Sequence, residues 1–370
     1  MLTRKQFMRA AAVTGVPLLL QACSGAADEA GYASAVQQVW HPAEGRHSAS
    51  GDSLALRQEL VRYATLAPSS HNTQCWKFHP GQTAIEVMPD FSRRCPAVDP
   101  DDHHLFVSLG CATENLVQAA LANGLATDVR FDARSLQTSI ALTATRPVAS
   151  DLFRAIPERQ STRTEFDGQK VSNAHLRLLE QAGTGPGVHV ILLTEKAAIE
   201  KILAYVLAGN TAQLNDAAFM SELRRWVRFN GADAVRTGDG LYSVSSGSPS
   251  VPDWLGSLLF GLLMTPQREN DKYARQIHSS AGVAIFVSAA NDPAHWVETG
   301  RCYQRFALQA TALGIRNAML NQPVEVAALR PQLASHLGLD PASRPDLVLR
   351  FGYGPKMPVS LRRPLQSVLA

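Results

Sequence analysis

The sequence predicts an α+β fold that is built twice within one chain. Helical and strand-forming segments intermingle without the regular strand–helix alternation of a parallel sheet. Beyond an N-terminal export segment, roughly 345 residues remain, which exceeds the usual size of a single hydrophobic core. Residues 104–125 and 294–315 align without a gap, 190 residues apart. Together these observations favour two related halves.

The two aligned segments have the composition of buried helices. Gly110 matches Gly300, Gly124 matches Gly314, and two alanine pairs also match. Each segment is small and apolar around most of its circumference and ends in glycine followed by leucine or isoleucine, which is typical of a helix with a glycine C-cap. We therefore predict one central helix in each half.

Runs rich in β-branched and aromatic residues predict the strands. They are residues 84–88, 127–131 and 139–145 in the first half and residues 188–194, 284–288 and 346–352 in the second. Apolar periodicity predicts further helices. These cover residues 53–67, 173–182, 196–229 with a break, and 325–337.

The predicted halves are residues 51–150 and residues 151–370, and the second carries an insertion. Residues 229–270 are rich in glycine and serine and then become apolar from 254 to 264. We interpret residues 229–270 as a lid whose apolar part packs inside the protein. A segment that binds a membrane is the alternative for residues 254–264.

Residues 1–23 have the pattern of an export signal. Arg4, Lys5 and Arg9 form a basic start, and the apolar run that follows, residues 10–20, is too short to span a membrane. The start resembles the twin-arginine consensus with lysine in place of the second arginine, so twin-arginine and general export both remain open.

The signal ends in Leu-Gln-Ala-Cys, which resembles a bacterial lipobox. This pattern predicts that Cys23 is lipidated and that the protein is held on the periplasmic side of a bacterial membrane by the lipid alone, without a spanning helix. A disposable signal with a chance cysteine is the alternative. Residues 24–50 are small and polar, and we interpret them as a tether.

The charge balance does not indicate a nucleic-acid partner. The chain has 35 Lys and Arg residues against 32 Asp and Glu residues, and the three extra basic residues belong to the export segment. The mature chain is therefore close to neutral, and no cationic face for nucleic acid follows from its composition.

The cysteine and histidine spacings do not predict a metal centre. Cys75, Cys95, Cys111 and Cys302 lie far apart and lack a C-x-x-C pattern. We expect at least Cys111 and Cys302, in apolar helices, to be buried free thiols. Acidic residues precede a histidine pair, and we interpret them as the N-terminal cap of a helix rather than as metal ligands. The residues in question are Asp99, Asp101, Asp102, His103 and His104.

Residues 68–76, Pro-Ser-Ser-His-Asn-Thr-Gln-Cys-Trp, combine a stiff turn with amide and aromatic side chains. Proline fixes φ and serine hydroxyls bond local backbone groups, so the turn can hold the two amides in defined places. The stretch resembles the Pro-Ser-Ser-x-Asn-x-Gln-Pro-Trp motif of the nitroreductase family of FMN enzymes, with Cys75 in place of the family proline. The resemblance implies that the flavin ring is lined by Ser69, Ser70, Asn72 and Gln74. Taken alone, the motif also fits an ordinary polar turn.

Residues 159–163, Arg-Gln-Ser-Thr-Arg, bring two guanidinium groups and two hydroxyls together, which suits a phosphate. They resemble the family's Arg-x-Ser-x-Arg element. Residues 349–355 and 361–365 resemble the family's ending, a core strand followed by an arginine pair that reaches the phosphate. A solvated basic loop is the alternative for residues 159–163. The resemblance implies that the FMN phosphate is held by Arg159, Ser161, Arg163 and by Arg362 or Arg363.

The motifs occur in complementary halves. In place of a second turn motif, the second half has Gly-Thr-Gly-Pro-Gly at residues 183–187, and in place of a second phosphate loop the first half has only Arg-His-Ser at residues 46–48. Members of the family are homodimers in which one chain supplies the phosphate loop and its partner supplies the turn. The resemblance covers residues 50–370 and is to the Acg-type branch. It implies a monomeric pseudo-dimer with one FMN site.

The resemblance implies an FMN-dependent oxidoreductase that reduces nitroaromatic, quinone-like or related acceptors. Family enzymes take electrons from NAD(P)H, which is scarce outside the cytoplasm, so the donor of an exported member remains open. A protein of the same fold that holds or sequesters FMN without turnover is the alternative. Loss of flavin altogether is a weaker alternative, which the replacement at Cys75 favours.

His71 lies within the turn motif and invites two interpretations. A histidine can titrate near neutral pH and donate a proton, but a surface or ring-stacking histidine also fits this position. His71 and Cys75 are four residues apart, yet no third group that would orient a thiolate pair is evident. The favoured interpretation is a histidine without a catalytic role.

Overall fold

In the computed structural model, residues 29–41 and 53–370 are described, and they form an α+β fold with two four-stranded sheets. Two long helices pack against each other and against the sheets. The largest hydrophobic core is continuous across both halves, since it contains Trp76 and Phe78 from the first half together with Phe286 and Phe306 from the second.

The first half contains three helices and one antiparallel sheet, with spatial strand order β1-β2-β4-β3. Its elements are α1 (residues 29–40), α2 (Leu54–Thr65), β1 (Trp76–Pro80), β2 (Ala84–Pro89), α3 (His103–Ala122), β3 (Leu125–Asp132) and β4 (Gln137–Ala144).

The second half contains an antiparallel sheet with spatial strand order β5-β8-β10-β9 and a helical insertion between β5 and β8. Its elements up to the insertion are α4 (Asp151–Ala155), α5 (Asn173–Ala182) and β5 (Val188–Leu193). The insertion contains α6 (Lys196–Leu214), α7 (Ala217–Trp226), β6 (Val227–Arg228), α8 (Gly231–Thr237), β7 (Leu241–Tyr242), α9 (Asp253–Leu263) and α10 (Pro266–His278). After it come β8 (Gly282–Ser288), α11 (Pro293–Ala312), β9 (Arg316–Met319), α12 (Gln322–Glu325), α13 (Arg330–His336) and β10 (Arg344–Gly352).

The two sheets have the same topology. In each half the chain forms two antiparallel strands, then a long central helix, and then two more strands. The last of the four strands lies next to the second strand in the sheet. β1, β2, β3 and β4 therefore correspond to β5, β8, β9 and β10, and α3 corresponds to α11. The prediction of an internally duplicated α+β chain is confirmed.

The central helices cross at a pair of glycines. A Cβ atom added to Gly110 would lie 2.0 Å from the carbonyl oxygen of Val297, and one added to Gly300 would lie 2.0 Å from the carbonyl oxygen of Val107. Val297 and Gly300 lie 190 positions after Val107 and Gly110, which is the offset that aligns the two sequence segments. The crossing point therefore lies on the local two-fold axis that relates the halves, and glycine is required there on both helices.

The C-terminal segment crosses from the second half to the first. The backbone N–H of Phe78 donates to Val368 O at 2.8 Å, and the N–H of Ala370 donates to Phe78 O at 2.9 Å. Leu369 forms a parallel bridge with Phe78, at the open edge of β1. The end of the chain thus extends the sheet of the opposite half, so the predicted boundary near residue 150 does not separate two independently packed units.

The insertion, residues 194–281, joins β5 to β8 in the second half. The corresponding strands of the first half, β1 and β2, are joined by a short turn, residues 81–83. The predicted lid lies inside the insertion. Only one face of α9 packs inward, where Gly256 and Phe260 are buried, while Trp254, Leu258 and Leu262 are 67%, 65% and 67% exposed. The expectation that this apolar segment packs inside therefore holds for one face only.

The tether prediction is wrong for residues 29–40. Tyr32, Val36, Val39 and Trp40 repeat at helical spacing, and this stripe packs onto the body of the protein. The indole N–H of Trp40 donates to Ser360 O at 3.1 Å, and the Tyr32 hydroxyl donates to Val359 O. An apolar stripe at helical spacing is enough to form a packed helix here, although the surrounding segment is rich in small and polar residues.

The predicted strands are all present, but β1 and β9 were not expected. β9 has only four residues, and β1 follows the turn motif directly, which hides its alternating pattern. The helix predicted over residues 325–337 is shorter, because Pro331 lies in the first turn of α13 and proline favours a helix start.

Two further predictions concern membranes and thiols. The export signal, Cys23 and residues 46–48 lie outside the described residues. Among those described, α3 alone has the length and apolar composition of a membrane span, and it is the buried central helix. The cysteines at 75, 95, 111 and 302 are buried free thiols, as expected for Cys111 and Cys302.

We expect Gly110→Ala to destabilise the protein by roughly 3 kcal/mol, because the added methyl group cannot be accommodated without separating α3 from α11. Chemical unfolding of the purified protein measures this loss. The matched control is Gly261→Ala in α9, where an added Cβ meets no atom within 4 Å and should raise stability by about 0.5–1 kcal/mol. Wild-type stability of Gly110→Ala would contradict the crossing described above.

Candidate functional site

A cavity of about 420 Å³ lies between the two halves, beneath the insertion. The first half contributes the turn motif and one face of α3, and the second half contributes the Arg-x-Ser-x-Arg loop and the segment after β9. The insertion closes the remaining side with apolar side chains. Representative lining residues are Ser70, His71, Ser108, Arg163, Tyr303 and Phe260.

The turn motif reaches the cavity in a strained conformation. His71, Asn72 and Gln74 have φ angles of 47°, 53° and 53°, in the left-handed region that non-glycine residues seldom adopt. The hydroxyl of Ser69 accepts a hydrogen bond from the backbone N–H of Gln74 at 2.9 Å and so closes the turn. Strain of this kind persists where the surroundings hold it in place, and it is common at functional sites.

The structure places Ser69 and Ser70 in the wall of the large cavity, but neither amide lines it. Asn72 lines a smaller compartment, and its side chain is paired with protein groups: Nδ2 donates to Gly240 O at 3.0 Å and Oδ1 accepts from Arg362 at 3.1 Å. These bonds attach the turn to the insertion and to the C-terminal segment.

Gln74 lines neither compartment, which corrects its predicted role. It is fully buried, its Nε2 donates to Gly238 O at 2.8 Å, and its Oε1 accepts from the N–H of Arg363 at 2.8 Å. Because both ends of the amide bind backbone groups of other segments, Gln74 holds the site together and does not face a ligand.

The smaller compartment, of about 50 Å³, adjoins the large cavity and shares Ser69, Ser161 and Arg163 with it. Arg159 also lines it and is buried. Arg159 Nη2 donates to Leu66 O at 3.2 Å, whereas its Nε and Nη1 have no hydrogen-bond partner. Within residues 29–41 and 53–370, no hydrogen bond or ion pair engages the guanidinium of Arg163.

Two cations thus meet at this compartment without a counter-charge. Burial lowers the pKa of both Arg159 and Arg163, because water no longer solvates the charged guanidinium groups. A buried charge that lacks a partner destabilises the folded state. An anion bound between the two side chains would offset this cost.

Arg362 lines the same compartment but is already engaged. It donates to Thr65 O at 2.8 Å, Leu66 O at 3.0 Å and Ala67 O at 3.0 Å, and so satisfies carbonyl groups at the end of α2. Its guanidinium lies 4.9 Å from the ring centre of Trp40. Burial lowers its pKa to about 9. Its side chain therefore caps a helix from within the wall of the compartment, and its role toward a phosphate stays a prediction.

Arg363 lies away from both compartments. It donates to Ser367 O at 3.0 Å and forms an ion pair with Asp90 at 4.0 Å. The prediction that the arginine pair reaches the phosphate is therefore wrong for Arg363.

Arg350 positions the loop that carries Arg163. It is fully buried in β10 and donates to Thr162 O at 3.1 Å and Thr164 O at 2.7 Å, on either side of Arg163. Gln276, in α10, donates to Arg163 O at 2.8 Å. Arg350 follows the apolar run at residues 347–349 and precedes Phe351, and a charge in such a run is the signal that could have marked it. The sequence analysis gave it no role.

His71 lies in the cavity wall with its Nδ1 3.7 Å from Cys95 Sγ. Burial, and secondarily the charge of Arg163, lowers its pKa to about 4, so the ring is neutral at pH 7. Cys75 does not pair with it and instead lies 3.9 Å from Leu105 O. Burial raises the pKa of the Cys75 thiol to about 12, which leaves no thiolate for nucleophilic chemistry.

The predicted acidic cap of α3 is present, and Asp99 forms it. Its carboxylate accepts from the N–H groups of His104 at 3.0 Å and Leu105 at 2.9 Å. His103 Nε2 lies 2.8 Å from Asp346. Hydrogen bonds to protein groups thus occupy the Asp99 carboxylate and His103 Nε2, whereas His103 Nδ1 is buried without a partner among the described residues.

A second group of potential metal ligands in the described chain consists of His71, Cys95 and Glu222. The two carboxylate oxygens of Glu222 accept from the N–H groups of Ala97 at 3.0 Å and Val98 at 3.1 Å. Glu222 therefore holds the loop that contains Cys95 against α7, and its oxygens are already engaged.

Several cavity residues were not identified from the sequence. Tyr303 donates to Asn317 Oδ1 at 3.1 Å, and burial raises the pKa of Tyr303 and Tyr273 to about 12. Ser108 donates to His104 O at 2.6 Å. No local pattern marks these residues, because the crossing of α3 and α11 and the folding of the insertion bring them to the cavity.

The equivalent place on the other side of the two-fold axis is filled by charged side chains. The positions that match Ser108 and Cys111 are Glu298 and Arg301, which pair at 2.8 Å. Glu114 accepts from Arg305 at 3.0 Å and lies 3.3 Å from Arg301. The two related positions along α3 and α11 therefore differ: Ser108 and Cys111 face the cavity on one side, and paired charges stand at the matching positions on the other.

Comparison with known proteins identifies relatives over most of the chain. The nitroreductase family model matches residues 156–353. A Mycobacterium tuberculosis protein with the provisional name NAD(P)H nitroreductase is 25% identical over 322 residues, which cover 84% of this chain and 90% of that protein. A second M. tuberculosis protein, provisionally named NAD(P)H nitroreductase acg, is 24% identical over 322 residues, with coverage of 84% and 94%. The resemblance to the Acg-type branch is confirmed.

Solved structures of nitroreductases also match. The FMN-dependent nitroreductase NfnB from Mycobacterium smegmatis, in complex with NADPH, gives a TM-score of 0.37 at 17% identity, covering 55% of this chain and 87% of that chain. A nitroreductase with bound FMN from Desulfitobacterium hafniense gives a TM-score of 0.36 at 17% identity, covering 59% and 95%. Since the family model spans more than half of the sequence, the chain belongs to the nitroreductase family.

Proposed function

We propose that this protein binds FMN between its two halves and acts as an oxidoreductase that reduces nitroaromatic, quinone-like or related acceptors. The observation that carries the proposal is the pair of guanidinium groups of buried Arg159 and half-buried Arg163, which meet at a small compartment that no carboxylate of the described chain lines. Membership of the nitroreductase family and the names of the relatives support the same assignment.

The residues present fit a ligand with an anionic end and a flat aromatic ring. The small compartment offers two unsatisfied cations and the Ser161 hydroxyl, which suit a phosphate. The adjoining cavity combines apolar side chains, most of them from the insertion, with polar and charged ones such as Glu269 and Lys272, and Ser69 lies at the junction of the two spaces. One molecule can therefore occupy both spaces, and bound FMN supplies reversible electron transfer there.

The protein's own residues position the ligand and control what reaches it. Arg159 and Arg163 bind and neutralise the phosphate, while Arg350 fixes the loop between them. Neutral His71 and protonated Tyr303 present polar groups to the ring without adding charge. The insertion excludes water from the cavity through Phe219, Phe229 and Phe260, which line one wall.

A protein that holds or sequesters FMN without turnover is the second candidate. The observation that favours it is the same apolar wall, because the insertion covers the space that an electron donor or acceptor would use. The two candidates share the binding site and differ in whether an acceptor reaches it.

Export, lipidation of Cys23 and a monomeric state remain part of the proposal. The export-like start and the lipobox-like Leu-Gln-Ala-Cys support the first two. The duplicated topology supports the third, because the second half takes the place of a partner subunit. The relatives' names suggest NAD(P)H as donor, whereas a location on the periplasmic side would require a different one.

We expect Arg163→Met and Arg159→Met each to weaken FMN binding by about 10- to 100-fold, because each removes charge-assisted hydrogen bonds. Fluorescence titration measures the affinity. The same substitutions should leave the flavin-free protein about as stable as the wild type, since each removes a cation that has no counter-charge among the described residues of the compartment.

Arg130→Met, in an exposed strand position, and Arg363→Met are the matched controls, and both should leave the FMN affinity within about threefold of the wild type. We expect His71→Ala to have a smaller effect than either of the two site arginines. Equal losses across all these variants would contradict the phosphate assignment.

The absorption spectrum of the purified protein distinguishes the two candidate functions. FMN is added, dithionite reduces it, and a nitroaromatic or a quinone is then supplied without oxygen. Reoxidation by the acceptor supports the oxidoreductase, whereas bound flavin that stays reduced supports sequestration. If no flavin binds, both candidates are wrong. Replacing dithionite by NADPH or NADH tests the donor.

We expect no rate inflection near pH 6.5 that depends on His71. Because its pKa is about 4, the ring is neutral throughout the range from about pH 5.5 to 8 and gains a proton only as the pH falls further. The rate of flavin reoxidation by an acceptor, measured against pH for the wild type and His71→Phe, tests this. An inflection near pH 6.5 that His71→Phe abolishes would show instead that His71 donates a proton.

A further inference from the structure

The outer face of α9 is an apolar surface. Trp254, Leu258 and Leu262 repeat every four residues and are 67%, 65% and 67% exposed. Residues at this spacing form one stripe along a helix. Large apolar side chains grouped in this way on a soluble surface indicate a binding face.

The opposite face of α9 belongs to the cavity wall. Gly256 and Phe260 are buried there, and an added Cβ at Gly256 would lie 2.3 Å from the ring of Phe229. Packing therefore fixes the rotation of the helix about its axis. The exposed stripe could turn inward only if Gly256 and Phe260 left the cavity wall.

The chain around α9 carries almost no charge. Between residues 240 and 267, Asp253 at the start of the helix is the only charged residue. A surface that binds another protein normally has an apolar centre surrounded by a rim of polar and charged residues. An uncharged segment with tryptophan at one end of a leucine stripe is typical of a helix that lies in the interfacial region of a bilayer.

The N-terminal segment begins beside the insertion. Tyr32, in the first turns of α1, packs against Ala234 of α8 and Tyr242 of β7, and the two tyrosine ring centres are 4.4 Å apart. Cys23 precedes residue 29 by six positions, which an extended chain spans in about 20 Å. A lipid on Cys23 would therefore hold the membrane close to the insertion.

We propose that the exposed face of α9 docks onto the surface of a lipid bilayer. Trp254, Leu258 and Leu262 enter the boundary between headgroups and acyl chains, and the inner face of the same helix continues to close the cavity. The inference differs from the expectation that only a lipid anchor contacts the membrane. Because the face is uncharged, binding does not depend on anionic lipid, and moderate salt does not abolish it.

The intrinsic fluorescence of the protein reports this contact selectively. Of the five tryptophans, Trp40, Trp76, Trp226 and Trp296 are buried, and Trp254 is exposed. The full chain carrying Cys23→Ser, which removes the lipidation site, is mixed with phosphatidylcholine vesicles with and without phosphatidylglycerol. We expect the emission to shift to shorter wavelength with both compositions, and acyl chains brominated near the headgroup to quench it.

Substitutions on α9, compared with control substitutions elsewhere, test whether this face is the part of the protein that binds lipid. Trp254→Phe should abolish the vesicle-dependent shift. Leu258→Ser with Leu262→Ser should weaken partitioning into vesicles at least tenfold, because each removes apolar area that the lipid buries. The matched control is Leu54→Ser with Leu178→Ser, two exposed leucines on α2 and α5, and it should behave like the parent protein.

Three outcomes would overturn the proposal. No spectral shift with either type of vesicle would show that α9 does not enter the bilayer. A shift without vesicles that grows with protein concentration, together with dimers in sedimentation, would show that a second copy covers the stripe. Emission already at short wavelength in dilute protein, unchanged by vesicles, would show that the N-terminal segment of the chain covers it.

Discussion

The close crossing of α3 and α11 determines how the two halves fit together. Since Gly110 and Gly300 each contact the backbone of the other helix, the axes approach as closely as main-chain atoms allow. This contact fixes the angle and distance between two sheets of identical topology. The cavity exists because the two halves, held at that distance, leave space beside the crossing. Its walls consequently come from segments that are remote in sequence.

The local two-fold axis relates two positions beside the helix crossing, and their side-chain charges differ. On one side Glu298, Arg301, Glu114 and Arg305 compensate one another. On the other side Arg159 and Arg163 face a compartment with no carboxylate among its lining residues. The first arrangement is neutralised by charges within the protein, whereas the second brings two cations together without a carboxylate from the described residues, which is the character that we expect of a site for an anion. The two related positions of the duplicated fold therefore differ in charge.

The sequence predicted the parts of the site that depend on local pattern. Arg159, Ser161 and Arg163 lie on one short loop, and the structure places all three at the compartment. Gln74, Arg362 and Arg363 bind protein groups in the structure, and most of these partners are distant in sequence. Gln74 binds Gly238 and Arg363, which are 164 and 289 positions away. Whether a polar side chain meets a ligand or a backbone group depends on tertiary packing, which motif spacing does not encode.

The bond between the C-terminus and β1 affects the order in which the protein is made and folded. Phe78 leaves the ribosome early, yet its backbone partners, Val368 and Ala370, lie about 290 positions later in the sequence. The first half cannot complete its sheet until these residues have been made, and contacts of such sequence separation are slow to form. Until then the outer edge of β1 is unpaired, and an unpaired strand edge is prone to pair with other chains.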